Sequence, residues 1–222
     1  MIPRNGPRTT KEAKELSKLW VSRREFLGLA GVGVGTAALY GLLRDREEAP
    51  PLRPPGISSE EEFSAACLRC QECVRSCLTG CLEPAGPEYG AGRLWTPRFN
   101  PDLARCEFEL CGRACAAACP AALMERVPDK EVRLGQAFIT RKRCLVWGQG
   151  KPCLICYERC RYGAIEADEQ GRPHMVPEKC TGCGACQNTC IAEPQKAIIV
   201  YPLGHVPEDE GETGGGGKRR GG

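Results

Sequence analysis

Sixteen cysteines arranged in four quartets constrain this chain more than anything else in it. The first quartet is Cys67, Cys70, Cys73 and Cys77, and the fourth is Cys180, Cys183, Cys186 and Cys190; both have the spacing C-x2-C-x2-C-x3-C. Cys106, Cys111, Cys115 and Cys119 form a looser second quartet, C-x4-C-x3-C-x3-C, that ends in Cys119-Pro120. Cys144, Cys153, Cys156 and Cys160 form the third, C-x8-C-x2-C-x3-C. The outer spacing is that of bacterial ferredoxins: three thiolates two residues apart on a tight loop each reach a different iron of one compact cluster. The fourth is aimed elsewhere, often at a second cluster. Each quartet is therefore open to a 3+1 division between two sites. Gly182 and Gly184 suit such a loop, because glycine lets backbone N–H groups turn toward the sulfurs.

Two other uses of cysteine fit less well. Structural zinc wants separated C-x2-C pairs, often with histidine, and the chain has 2 histidines, His174 and His205, neither beside a C-x2-C. Disulfides suit an oxidising compartment, but cysteines two residues apart are awkward partners and natural co-ligands. A c-type haem needs C-x-x-C-H, which does not occur. Aromatic residues make up 6% of the chain, so clusters acting as core, with folding coupled to their binding, are the expectation. A formal charge of +3 gives no electrostatic footprint for nucleic acid. The seventeenth cysteine, Cys81, is open to three roles: buried apolar filler, free thiol, or alternative ligand in place of Cys77.

Near the start, Ser22-Arg23-Arg24-Glu25-Phe26-Leu27 opens an uncharged, glycine-rich stretch that runs to Leu43. This resembles a twin-arginine signal, with Lys11, Lys14 and Lys18 in a basic lead-in. Ala38-Leu39-Tyr40 is a poor cleavage site, so an uncleaved anchor on the membrane stays open. Gly33-Val34-Gly35-Thr36-Ala37-Ala38 matches a dinucleotide fingerprint only formally, since no βαβ unit surrounds it. The reading is a signal or anchor over 1–48, a proline-rich extended spacer over 49–60, a four-cluster domain over 61–203 and a disordered tail over 204–222.

Short apolar runs flanking Gln170-Gly171 predict a β-hairpin between Ala164 and Val176, and Ala197–Tyr201 and Val132–Thr140 predict further short strands. Short helices are expected to begin at each fourth cysteine. The region from Pro84 to Arg105 reads as an ordered loop, either a docking face or packing over a cluster. The fold class is α+β: duplicated bacterial-ferredoxin-like modules with little regular secondary structure. The first quartet is expected to pair with the fourth and the second with the third, with sequential pairing open as the alternative.

The order of these features resembles the NapG/MauM ferredoxin-type proteins over Ser22 to about Pro202. The resemblance rests on the signal, the outer quartets, Cys119-Pro120-Ala121-Ala122-Leu123, the eight-residue gap after Cys144, and Lys179-Cys180-Thr181-Gly182-Cys183-Gly184-Ala185-Cys186. It implies four [4Fe–4S] clusters held by the sixteen quartet cysteines. It also implies a periplasmic role, or one on the outer face of the cytoplasmic membrane, relaying electrons between a quinol-oxidising, ferredoxin-like membrane subunit and a periplasmic redox enzyme of nitrate reductase or methylamine dehydrogenase type. One departure is that Leu78, Arg161 and Ile191 replace the proline after three of the fourth cysteines. No catalytic constellation is visible in the residues. The rival readings are an iron–sulfur subunit of another exported redox complex and a maturation factor for a partner enzyme.

Overall fold

The computed structural model describes residues 22–43, 49–124 and 127–205. The chain divides into two units, 1–47 and 48–222. Within the first, α1 (Arg23–Leu43) opens with a reciprocal cap: Glu25 N–H donates to Ser22 Oγ, and Ser22 N–H donates to the Glu25 carboxylate. Among the described residues no helix is long and apolar enough to cross a membrane. The expected basic lead-in before Ser22, and residues 206–222 of the expected tail, lie outside the described residues.

The second unit is α+β with little regular structure. Its strands form three two-stranded antiparallel sheets among the described residues. β1 (Leu82–Pro84) pairs with β2 (Pro97–Phe99), β3 (Gln136–Ile139) with β6 (Ile198–Tyr201), and β4 (Ile165–Ala167) with β5 (Pro173–Met175). The last is the expected hairpin, and β3 and β6 lie within the two stretches expected as strands. In β3 and β6 the register sets Ala137 against Val200 and Ile139 against Ile198, all four buried.

Two apolar cores result. One gathers Ile139, Ile165, Ile198 and Val200 around Cys144, Cys180 and Cys186. The other gathers Leu82, Phe99, Phe108, Val132 and Leu134 around Cys73, Cys81 and Cys115. Leu52 packs against both. Cysteines thus occupy core positions that large side chains would otherwise fill.

Two expectations change here. Residues 49–60 are not a free spacer: Pro51, Arg53, Pro54 and Pro55 are buried, forming a strap across the unit. Arg53 forks onto the Glu60 carboxylate with two bonds of 2.6 Å, donates to Thr96 Oγ1 and Pro97 O, and lies over the Phe63 ring. Glu60 opens α2 (Glu60–Ala66), capped by Ser59. The strap is ordered because a buried guanidinium must have its donors met, and the chain around Thr96 supplies acceptors. The region from Pro84 to Arg105 contributes β2 and is buried at Thr96, Pro97 and Phe99, which makes part of it core.

Candidate metal centres

The local structure of the quartets repeats. Each carries its third cysteine on a short helix: Cys73 on α3 (Glu72–Arg75), Cys115 on α4 (Ala114–Ala117), Cys156 on α6 (Ile155–Arg159) and Cys186 on α7 (Ala185–Asn188). The remaining short helix, α5 (Leu145–Gln149), follows Cys144. The helices therefore begin one residue before the third cysteine, not at the fourth. The reason is the residue before three of them: Gln71, Arg113 and Gly184 take left-handed backbone, which turns the chain sharply into the helix. Each fourth cysteine lies just past the last turn, its N–H bonded three residues back: Cys77 to Val74, Cys119 to Ala116, Cys160 to Tyr157, Cys190 to Gln187.

That placement sends each fourth thiol to the neighbouring quartet. Cys67, Cys70 and Cys73 share an apolar cavity with Cys119. Cys144, Cys153 and Cys156 share one with Cys190, walled by Ile139, Leu145 and Ile198. Cys180, Cys183 and Cys186 share one with Cys160. At the second site Cys111 and Cys77 both bear electrostatically on Cys115, and Cys77 and Cys106 both bear on Cys81, which groups Cys77 with the second quartet. The thiols thus group three and one, in sequential pairs, first quartet with second and third with fourth. This corrects the expected pairing of the first quartet with the fourth and the second with the third. α3 packs on α4 and α6 on α7, so helix contact between successive quartets decides the partner.

The thiols stand around cavities, not at a point. Among the described residues no three Cys, His, Asp or Glu side chains converge tightly enough to hold a single metal ion, as tetrahedral zinc with bonds of about 2.3 Å would require. Burial, reinforced by neighbouring cysteines, pushes the thiols of Cys73 and Cys156 up to about 12 and that of Cys115 to about 11. So many thiolates in apolar walls need a positive group to hold them.

Other observations fit a cysteine-held iron–sulfur cluster. Ala164 N–H donates to Cys160 Sγ at 3.3 Å and Ala197 N–H to Cys190 Sγ at 3.4 Å, the bonds a thiolate ligand accepts. The buried Thr181 hydroxyl lines the fourth site and bears on the Cys183 thiol, favouring its thiolate against the burial that raises it. Gly182, at φ +72°, presses so closely on the Gly135 backbone that a Cβ would stand 2.4 Å from it.

Around the first site, Arg69 and Gln71 also take left-handed backbone and are held there by the loop before β2. Arg69 donates to Gly92 O and Leu94 O, and Gln71 to Trp95 O. Sequence reasoning named the ligand candidates but missed Thr181, Gly135 and the Arg69 and Gln71 clamps. Only the position of Thr181 between Cys180 and Cys183 hinted at any of these.

These are the features of a ferredoxin-type, iron–sulfur electron-transfer protein. The chain belongs to the MauM and NapG family of ferredoxin-type proteins. It is 36% identical over 200 residues to the methylamine utilization ferredoxin-type protein MauM of Methylorubrum extorquens, covering 82% of this chain and 89% of that one. It is 34% identical to MauM of Paracoccus denitrificans, covering 95% and 98%. It is 33% identical to the ferredoxin-type protein NapG of Haemophilus influenzae, covering 87% and 77%. No family model and no solved structure matches the chain.

Proposed function

We propose that the chain carries four [4Fe–4S] clusters, each held by three cysteines of one quartet and one of its neighbour, in duplicated ferredoxin-like modules. Its role is to relay electrons in the periplasm, or on the outer face of the cytoplasmic membrane, after export by the twin-arginine route. The observation that carries this is the set of cavities lined by four cysteines in the same 3+1 pattern. Bound clusters supply one-electron storage at each site.

The chain's residues do the rest. The cysteines hold the metal, apolar walls exclude water, and Ala164 N–H, Ala197 N–H and the Thr181 hydroxyl offset negative charge on sulfur. The sites adjoin in the order first, second, fourth, third. Cys73 neighbours Cys115, Cys106 N–H bonds to Cys183 O, and Cys186 neighbours Cys156. Exposed apolar residues stand beside the sites, Leu68 at the first, Leu78 and Leu110 at the second and Ile191 at the third, suited to docking partners. In this reading the donor is a quinol-linked membrane subunit and the acceptor a nitrate reductase or methylamine dehydrogenase type enzyme, or the reverse; the methylamine utilization in the names of the MauM relatives fits the second of these enzymes.

Iron and acid-labile sulfide on anaerobically purified protein test the cofactor: about sixteen of each are expected for four cubanes. Little iron, with thiols blocked until reduced, would make this a disulfide scaffold. Deleting the gene tests the role. Partner enzyme that stays active with artificial donors supports relay, and inactive enzyme means maturation instead.

A further inference from the structure

The second site holds one thiol more than the others. Cys81 is 1% exposed and its Sγ lies 3.6 Å from Cys77 Sγ, while Cys106 bears on the same thiol electrostatically. It therefore faces two proposed ligands that come from different quartets. The contact is built into the backbone. Gly80 N–H bonds to Cys77 O with Gly80 at φ +67°, folding the chain back, and Asn100 N–H pins Cys81 O beside β2. Thr79 Oγ1 also lies 3.6 Å from Cys77 Sγ, so the turn closes around that one sulfur. The second quartet also has the C-x4-C-x3-C-x3-C spacing, looser than either outer quartet.

Resting on the cluster reading above, we propose that Cys81 is a fifth thiol of the second site and replaces Cys77 as an iron ligand when Cys77 is released. The exchange balances. The iron–sulfur bond to Cys77 breaks, the bond to Cys81 forms, and the proton leaving the Cys81 thiol passes to the Cys77 thiolate beside it. Iron oxidation state and net charge are unchanged. A site with a reserve ligand tolerates loss of one iron–sulfur bond, whereas the first site, with Cys119 alone from the neighbouring quartet, has no such substitute among the residues lining it.

The test compares three variants purified anaerobically with the native chain. Cys77→Ala is expected to fold and keep about sixteen irons, with an altered EPR signal from one cluster. Cys119→Ala and the double variant Cys77→Ala with Cys81→Ala are each expected to fall to about twelve. The proposal is overturned if Cys77→Ala holds about twelve or does not fold, or if the double variant holds about sixteen. A native chain with little iron overturns the cluster reading itself, which is read separately from these comparisons.

Discussion

The amide of Cys106 donates to the carbonyl of Cys183 across 2.8 Å, tying the second site's first cysteine to the fourth site's loop. Beside this bond the rings of Phe108 and Tyr162 stack, centroids 6.2 Å apart and 2° from parallel. Phe108 is 1% exposed, and Tyr162 lines the fourth site. This seam joins the two halves of the domain. Phe108→Ala is expected to cost about 3–5 kcal/mol. Anaerobic heating with a chelator will strip iron from the second and fourth sites at lower temperature than from the first and third, read by iron content and EPR. Uniform loss from all four sites would show that the seam is not local.

The 3+1 division makes a combinatorial prediction. Cys190→Ala and Cys156→Ala each remove about four irons, and combining them removes no more, because both thiols serve the third site. Cys190→Ala with Cys186→Ala removes about eight. Division by quartet would reverse the two double variants.

Gly182→Ala places a methyl against the Gly135 backbone at a residue held at φ +72°. The clash and the left-handed conformation add to about 3 kcal/mol. The fourth site is expected to lose its iron first on mild heating, read as a loss of about four irons per chain.

Glu60 gives a pH dependence. Burial works to raise its carboxyl, but the Arg53 guanidinium, the Ser64 hydroxyl and Arg93 together outweigh it and the net value is lowered. A depressed carboxylate stabilises the folded form above the unfolded value of about 4.3, and that contribution is lost as pH falls through the folded value. A brief acid pulse should raise amide exchange in residues 49–56 of the native chain. Glu60→Gln should show raised exchange there at pH 7 already, without further gain in acid.

The ligand candidates were legible because cysteine spacing is local chemistry, written within a few residues. The hairpin at Gln170-Gly171 and the strands near Ile139 and Ile198 were legible for the same reason, as short apolar runs. Pairing of quartets was not legible, since it depends on α3 meeting α4 and α6 meeting α7, and helices of four or five residues leave no periodic signal. The strap was misread because Pro51, Pro54 and Pro55 signal extension, and extension alone does not separate a linker from a buried segment. Arg53, a charge that must find acceptors once buried, was the informative residue.

Leu52 lies early in the folded unit yet packs against the core that contains Ile198 and Val200. During synthesis the thiols of the first two sites are all in hand once Cys119 has emerged, but the seat for Leu52 is incomplete until Val200 follows. The strap's main hold, the Arg53 bonds to Glu60, Thr96 and Pro97, is complete within the first half, and the Leu52 side chain is what extends that hold to the second core.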